Sequence, residues 1–327
     1  MGKGVAMRAR KLALVTGGAG FVGSHLVDRL LADGREVVVV DDFSTGRHAN
    51  LAHLPVDAAR VLELDVRSKN AANLMASFEP EEVYHLACPA SPPAYQRDPQ
   101  RTLETCFLGT RAALDTAERV GARVLLASTS EVYGDPPLSQ HPQREEYWGN
   151  VNPRSVRSCY DEGKRAAEAL SWCYEKRGVQ VQVARIFNTY GPRMAPDDGR
   201  VVSNFVCQAL AGRPLTVYGD GSQTRSLCYV ADTVDGLVRL MQMPTPIGPV
   251  NVGNPAEVTM LELATAVATA LGSEFAVEYL PLPVDDPKRR RPDIGRAGRL
   301  LGWRPTTPLA VGLARTVEHF REAMRRS

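Results

Sequence analysis

Long apolar runs are missing from this 327-residue sequence, and no stretch reaches the roughly 18 residues that a bilayer-spanning helix needs. The opening "MGKGVAMRARK" also lacks the apolar segment of a secretory signal. Residues 1–10 are therefore expected to form a disordered basic arm on a cytoplasmic protein that has no membrane partner. Metal-type cysteine spacing is absent too. The six cysteines (88, 106, 159, 173, 207, 228) contain no C-x-x-C pair, which fits reduced thiols, mostly in cores, and no metal site. Nor is there an excess of one charge: 39 basic against 37 acidic residues leave +2 with histidine neutral, spread along the chain. Charge therefore suggests no nucleic acid as partner. The tightest basic run, "KRRRP" from position 288, reads on its own as a solvated face or a small anion site. Internal repeats and low-complexity segments are absent.

What is present is ordinary globular material, 44% hydrophobic and 23% charged, enough for one large or two fused domains with a sizeable core. Strand-like runs "KLALVT", "EVVVVDD", "RVLELD", "EVYHLA", "RVLLAS" and "VQVQVARIFN" alternate with amphipathic helical segments. That alternation predicts an α/β fold, a Rossmann-type doubly wound parallel sheet with helices on both faces. After Asn188 the texture changes. "TYGPRMAPDDGR" reads as a loop, "SNFVCQALAG" as a helix, and "LTVYG" and "FAVEYL" as short strands between Pro-rich turns near 244–249 and 281–292. The expected organisation is a dinucleotide domain over 11–190 and a smaller mixed α/β substrate lobe over 191–327, with some of its elements free to return to the first domain.

In "LALVTGGAGFVGSHL", Gly17, Gly20 and Gly23 follow a strand and, with Phe21 and Val22, open a helix. Missing side chains let a pyrophosphate approach the backbone, and the helix N-terminus supplies oriented N–H groups. The next strand ends in Asp41, at the offset where a carboxylate meets an adenosine ribose; it would repel a 2′-phosphate, so NAD is favoured over NADP. Neighbouring Asp42 is the alternative ribose acid. Asp65 and Val66, and Leu86, Ala87 and Cys88 of "HLACP", end later strands and should flank adenine and the pyrophosphate-ribose side; core packing is the competing reading for Val66 and Leu86. His85 reads as a satisfied core histidine.

"CYDEGKRAAE" puts Tyr160 and Lys164 four apart, on one face of a helix. A phenol with a pKa of about 10 is a poor base at neutral pH, and a nearby ammonium stabilises its phenolate. Tyr160 could then accept a proton from a sugar hydroxyl while hydride leaves. A hydroxyl cluster, Ser128, Thr129 and Ser130, stands one strand earlier, followed by Glu131.

On these motifs, together with "HLACPASPPAY", "LLASTSEVYGDP", "YWGNVNP", "ARIFNTYGPRM", "DGRVVSNF", "PLTVYGDGSQTR" and "DDPKRRRPDI", the chain resembles the extended short-chain dehydrogenase/reductase family over nearly its whole length. Within that family it is similar to the branch that decarboxylates UDP-glucuronate. The resemblance implies a redox-neutral conversion of UDP-glucuronate to UDP-xylose through a UDP-4-keto intermediate, with tightly bound NAD. It implies Glu131, Tyr160, Lys164 and Arg290 in catalysis, with Thr129 and Ser130 lining the sugar. Asn188, Arg200, Val202, Thr216, Tyr218 and Arg225 should hold the UDP part, and Ala90 and Tyr95 the glucuronate end. Phe43, Thr45, Gly46, Thr105, Ser128 and Thr189 join the cofactor residues already named. Cys88 departs from the pattern, where a serine is expected. Eukaryotic relatives carry a membrane anchor before the domain, and none is expected here. The family also implies a homodimer built from the helix holding Tyr160 and the one at about 98–119.

Ser130 discriminates between reactions that all begin by oxidising the sugar C4 hydroxyl. Nucleotide-glucose 4,6-dehydratases place an aspartate there to protonate the departing C6 hydroxyl, which a serine cannot do. In a glucuronate, C6 is already a carboxylate β to the new ketone, and carbon dioxide leaves without acid help once the enolate oxygen is stabilised. A second fixed carboxylate ~5 Å away would cost about 3 kcal/mol at an effective dielectric near 20. The same repulsion applies to Glu131, which must point aside, be protonated or be balanced by Arg290. A 4,6-dehydratase or 4-epimerase is the enzymatic alternative, and a non-catalytic dinucleotide sensor the outsider; fold alone does not separate them.

Overall fold

The computed structural model describes residues 11–281 and 290–326. The expected arm at 1–10, and Lys288 and Arg289 of the basic run, lie outside the described residues. In chain order the first half runs β1 (Leu12–Thr16), α1 (Phe21–Ala32), β2 (Glu36–Asp41), β3 (Arg60–Glu63), α2 (Ala71–Ala76), β4 (Glu82–His85), α3 (Pro92–Arg97), α4 (Pro99–Glu104), α5 (Thr110–Val120), β5 (Arg123–Thr129), α6 (Ser158–Glu175) and β6 (Val181–Ile186). The second half continues with β7 (Thr189–Tyr190), α7 (Val201–Leu210), β8 (Leu215–Tyr218), β9 (Thr224–Ser226), β10 (Cys228–Tyr229), α8 (Val230–Met241), β11 (Pro249–Val252), β12 (Glu257–Thr259), α9 (Met260–Leu271), β13 (Val277–Leu280), α10 (Gly295–Leu301) and α11 (Leu309–Arg326).

Seven strands form one parallel sheet in the order β11-β6-β5-β4-β1-β2-β3. Both faces are covered, so β2 reads as a nearly unbroken valine run, as a parallel strand between two helical layers must. The period of two sorts the side chains. Ala13, Val15, Val37, Val39 and Leu125 join Leu26, Val27 and Leu30 of α1 and Leu237 and Val238 of α8 in one core. Leu14, Val38, Val40, Val83 and Leu126 face the opposite way, into a core with Met75 of α2, Leu114 of α5 and Ala167 of α6. Strand order reverses between β1 and β4, which opens a crevice beyond their carboxyl ends.

Two sequence expectations change. The segment read as a loop from Thr189 contains β7, which pairs in parallel with β10. The single helix expected at about 98–119 is interrupted by a π-helical turn over Thr105–Gly109, between α4 and α5. Beyond residue 190, α8 covers the sheet and β11 closes its edge against β6, while β8 pairs with β13 and β9 with β12 in separate ribbons. Thr259 and Glu262 cap α9 reciprocally, satisfying donors at its first turn.

Candidate active site

The crevice begins at the β1–α1 turn. Gly17 has φ +71°, and a Cβ there would lie 2.8 Å from the Ala87 nitrogen. A Cβ on Gly23 would lie 2.0 Å from the Gly17 carbonyl oxygen. Neither position has room for a side chain, so the loop lies flat against β4 and α1 starts close to β1. Gly20 precedes α1 with no side-chain cap and no acid in the first turn, leaving the helix N–H groups for an anionic ligand. Beside them, Asp41 is buried, and its oxygens accept the Ala19 N–H at 2.9 Å and the Phe43 N–H at 3.0 Å. Burial raises its pKa above the ordinary carboxylate value. Asp42 is more heavily committed, with Ser44 N–H and hydroxyl on one oxygen and Arg101 at 2.7 Å on the other. A glycine loop with no space for Cβ, uncapped N–H groups and an acid at the end of β2 fit NAD.

One cavity of about 580 Å³ runs from this loop into the second half of the chain. On the cofactor side its wall includes Gly17, Gly20, Phe21, Val22, Gly23, Asp41, Asp42, Thr45, Val66, Leu86, Ala87, Cys88, Thr105, Ser128 and Thr189. Thr129, Ser130, Glu131, Tyr160, Lys164 and Arg290 meet at its centre, and Ala90, Tyr95, Asn188, Arg200, Val202, Thr216, Tyr218 and Arg225 line the remainder. Three expected residues are not on the wall. Phe43 stacks on His48 at 3.8 Å between ring centroids, Gly46 packs against the Asp41 carboxylate, where a Cβ would lie 2.6 Å from Oδ1, and Asp65 pairs with Arg67 at 2.7 Å.

At the centre, β5 ends at Thr129 and the chain makes one 3₁₀ turn over Ser130–Tyr133. Thr129 Oγ1 accepts the Glu131 N–H at 3.2 Å, which fixes the turn and buries Ser130 and Glu131 together. Tyr160 and Lys164 sit one turn apart near the start of α6, as their spacing requires. Lys164 Nζ donates to the Ala127 carbonyl at 2.8 Å and lies 5.9 Å from the Tyr160 ring centroid. Burial pushes the Tyr160 phenol well up from its ordinary value, and a hydrogen bond with Thr129 opposes that shift. Tyr95 stacks on Tyr160, ring centroids 5.2 Å apart and planes within 7°. His85 is fully buried, hydrogen-bonded to Thr16 at 2.8 Å, and pushed down to about 3 by burial and by Lys164, so it is a neutral core residue.

Glu131 is balanced, and by more than Arg290. Arg290 grips both carboxylate oxygens, and Arg157 approaches one of them from the start of α6. All three groups are largely shielded from solvent, where unpaired charge is costly. Arg157 also lies 5.9 Å from the Tyr95 ring centroid. The sequence reading missed it, although three positions before Tyr160 place it on the same side of the helix. Arg193 and Asp198 were missed as well; Asp198 holds Arg200, with 2.8 Å between Oδ2 and Nη2. Thr216 is tied to Gln208 at 2.9 Å, and Arg225 donates to the Thr224 carbonyl at 2.9 Å.

A phenol one turn from an ammonium, hydroxyls beside it, and a carboxylate outnumbered by two guanidinium groups make a site able to deprotonate an alcohol next to a bound anion. The NAD dependent epimerase/dehydratase family model matches residues 13–253. UDP-glucuronic acid decarboxylase 1 of Danio rerio is 54% identical over 313 residues, 95% of this chain and 73% of that protein. UDP-glucuronic acid decarboxylase 1 of Arabidopsis thaliana is 54% identical over 315 residues, 96% of this chain and 71% of that one. Among solved structures, UDP-glucuronic acid 4-epimerase from Bacillus cereus, in complex with UDP-glucuronic acid and NAD, is similar with a TM-score of 0.85 and 27% identity. That match covers 95% of this chain and 99% of the other.

Proposed function

Because this chain belongs to the NAD dependent epimerase/dehydratase family, and within it to the UDP-glucuronic acid decarboxylases, we propose that it converts UDP-glucuronate to UDP-xylose without net redox change. The observation that carries this reading is Ser130, neutral and buried, on the same cavity wall as Tyr160 and next in sequence to a Glu131 carboxylate paired with Arg157 and Arg290. The site thus offers net positive charge to a substrate carboxylate and no acid at the position where a dehydratase needs one.

Held by the Gly17–Gly23 turn and Asp41, NAD would supply the hydride acceptor for C4 and the hydride that C4 later regains. Asp41 holds the adenosine ribose, because its two oxygens accept the Ala19 and Phe43 N–H groups and keep acceptor capacity, whereas Asp42 is occupied by Ser44 and Arg101. Tyr160 takes the C4 hydroxyl proton, with Lys164 stabilising the phenolate and Thr129 orienting it. Arg290 and Arg157 hold the C6 carboxylate end, with Ala90 and Tyr95 beside it, and Ser130 gives it a hydroxyl without a charge. When the C5–C6 bond breaks, its electron pair enters the ketone, and the Tyr160 and Thr129 hydroxyls stabilise the enolate oxygen until C5 is protonated. Arg200, Arg225, Asn188, Val202, Thr216 and Tyr218 hold the UDP part.

The protein works in the cytoplasm, as a homodimer formed through α4 and α6, whose partly exposed Leu103 and Trp172 support that face. No helix among the described residues is long and apolar enough to cross a membrane. The deciding test is incubation with UDP-glucuronate and, separately, UDP-glucose: carbon dioxide and UDP-xylose from the first, with the second unchanged, is the expected result. Water loss from UDP-glucose would instead establish a dehydratase.

A further inference from the structure

Cys88 stands where the family resemblance calls for a serine, and the structure gives it a partner. Its Sγ lies 3.1 Å from Sγ of Cys106, eighteen positions along the chain. Cys88 is half-buried in the wall of the cofactor cavity, on the segment that leaves β4, while Cys106 is buried behind it in the π-helical turn. Cys106 packs closely against α6 at Gly163. A Cβ on Gly163 of α6 would lie 2.9 Å from its Cβ, and its carbonyl accepts the Thr110 hydroxyl at 2.6 Å.

We propose that Cys88 and Cys106 form an oxidisable dithiol, a modification site for hydroperoxides opening on the cofactor cavity. Sulfurs of a disulfide sit about 2.0 Å apart, so roughly 1 Å of approach brings this pair to bonding distance. Cys88 is the attacking thiol, being the one on the cavity wall. The contact with Cys106 and the Lys164 ammonium both favour its thiolate, against the opposing effect of burial. The thiolate attacks one peroxide oxygen, the O–O bond breaks, and Cys88 becomes a sulfenic acid while hydroxide leaves. The Cys106 thiol then attacks that sulfur, the S–O bond breaks, and water departs. Two electrons pass from the sulfurs to the peroxide, giving one disulfide and two waters in all; the nicotinamide takes no part. This step rests on the proposed NAD site: with the cofactor in the cavity that Cys88 lines, Cys88 is shielded, and the dithiol reacts as the cofactor leaves.

The test is exposure of the purified full-length protein to hydrogen peroxide, with and without excess NAD, followed by peptide mass spectrometry. The expected product is a Cys88–Cys106 cross-linked peptide pair, lighter by two hydrogens, reversed by a dithiol reductant and absent from Cys88→Ser and Cys106→Ser. With NAD at ten times its dissociation constant, its rate of formation should fall about tenfold, in proportion to the unoccupied fraction. Cys173, exposed on α6, serves as an internal control for reagent access. Oxidation of Cys173 with Cys88 and Cys106 both recovered as free thiols would overturn the proposal, as would Cys88 carried to the sulfinic acid beside an untouched Cys106. An unchanged rate in saturating NAD would overturn the shielding.

Discussion

Arg157 and Arg290 converge on the same oxygen of Glu131, one from the start of α6 and the other from the segment before α10. Neither the carboxylate nor either guanidinium would be tolerated alone at this depth, and the trio leaves one positive charge over. On the proposed function, that surplus is what a substrate carboxylate would meet. Arg157→Gln should therefore lower kcat/KM for UDP-glucuronate ~10- to 100-fold, about 1.5–3 kcal/mol, while UDP affinity changes little. Arg157→Lys should recover part of the loss. Equal losses for UDP and UDP-glucuronate would mean that Arg157 only supports the fold.

Ser130→Asp places a second carboxylate in the wall next to Glu131. Turnover of UDP-glucuronate should collapse while UDP still binds, and Ser130→Ala should lose only the ~0.5–1.5 kcal/mol of one net hydrogen bond. Steady-state kinetics and UDP titration on both variants separate charge from packing. An aspartate variant that decarboxylates normally would sink the charge argument.

Tyr160→Phe removes the proton acceptor and keeps the ring that stacks on Tyr95. NAD and UDP binding should persist while hydride transfer is abolished, followed as nicotinamide absorbance in a single turnover. Activity within tenfold of wild type would point to another base.

Gly17 and Gly34 share a positive φ, +71° and +78°, but only Gly17 is crowded; a Cβ on Gly34 would meet nothing within 4 Å. Gly34→Ala should cost only the strain of that backbone conformation, about 1–2 kcal/mol, with NAD binding intact. Gly17→Ala should add the contact with Ala87 and lose NAD as well. Thermal melts with and without NAD would show a cofactor-dependent shift in the first variant and a much smaller one in the second.

Asp161, buried beside Tyr160, has its pKa pushed up to about 7 from an ordinary 3.8, burial being the main cause and Arg157 opposing it. Between those two values the folded chain holds a proton that the unfolded chain has lost, so this residue makes stability fall as pH rises from about 4 to 7. Above pH 7 the penalty is fully present. Asp161→Asn should match wild type near pH 4 and exceed it by on the order of 2 kcal/mol at pH 8, measured by urea unfolding at both pH values. A difference that does not vary with pH would contradict the assignment.

The elements legible in the sequence were those governed by local periodicity. Alternating strand-like and helical runs marked the parallel sheet, three glycines marked the β1–α1 turn, and four-residue spacing placed Tyr160 over Lys164. What escaped depends on chain segments that return from a distance. Arg157 reaches Glu131 only because residues 134–157 fold back on the 3₁₀ turn, and no repeat in that irregular stretch encodes the path. The π-helical turn was hidden because an apolar pattern looks alike on either side of one inserted residue, yet it puts Thr105 on the cavity wall and Cys106 behind Cys88. Asp65, expected at a strand end, lies two residues past β3, and Arg67, two residues later, draws its carboxylate away.

The pairing of β11 with β6 has a consequence for synthesis. β6 is complete at Ile186, but its outer edge is covered only when Pro249–Val252 arrives, after the chain has built residues 187–248. During that interval a valine-rich strand offers unpaired backbone to any neighbouring chain. A ribosome that stalls inside 187–248 would therefore release a nascent chain with a finished glycine loop and an open sheet edge, prone to joining its own kind before it can fold.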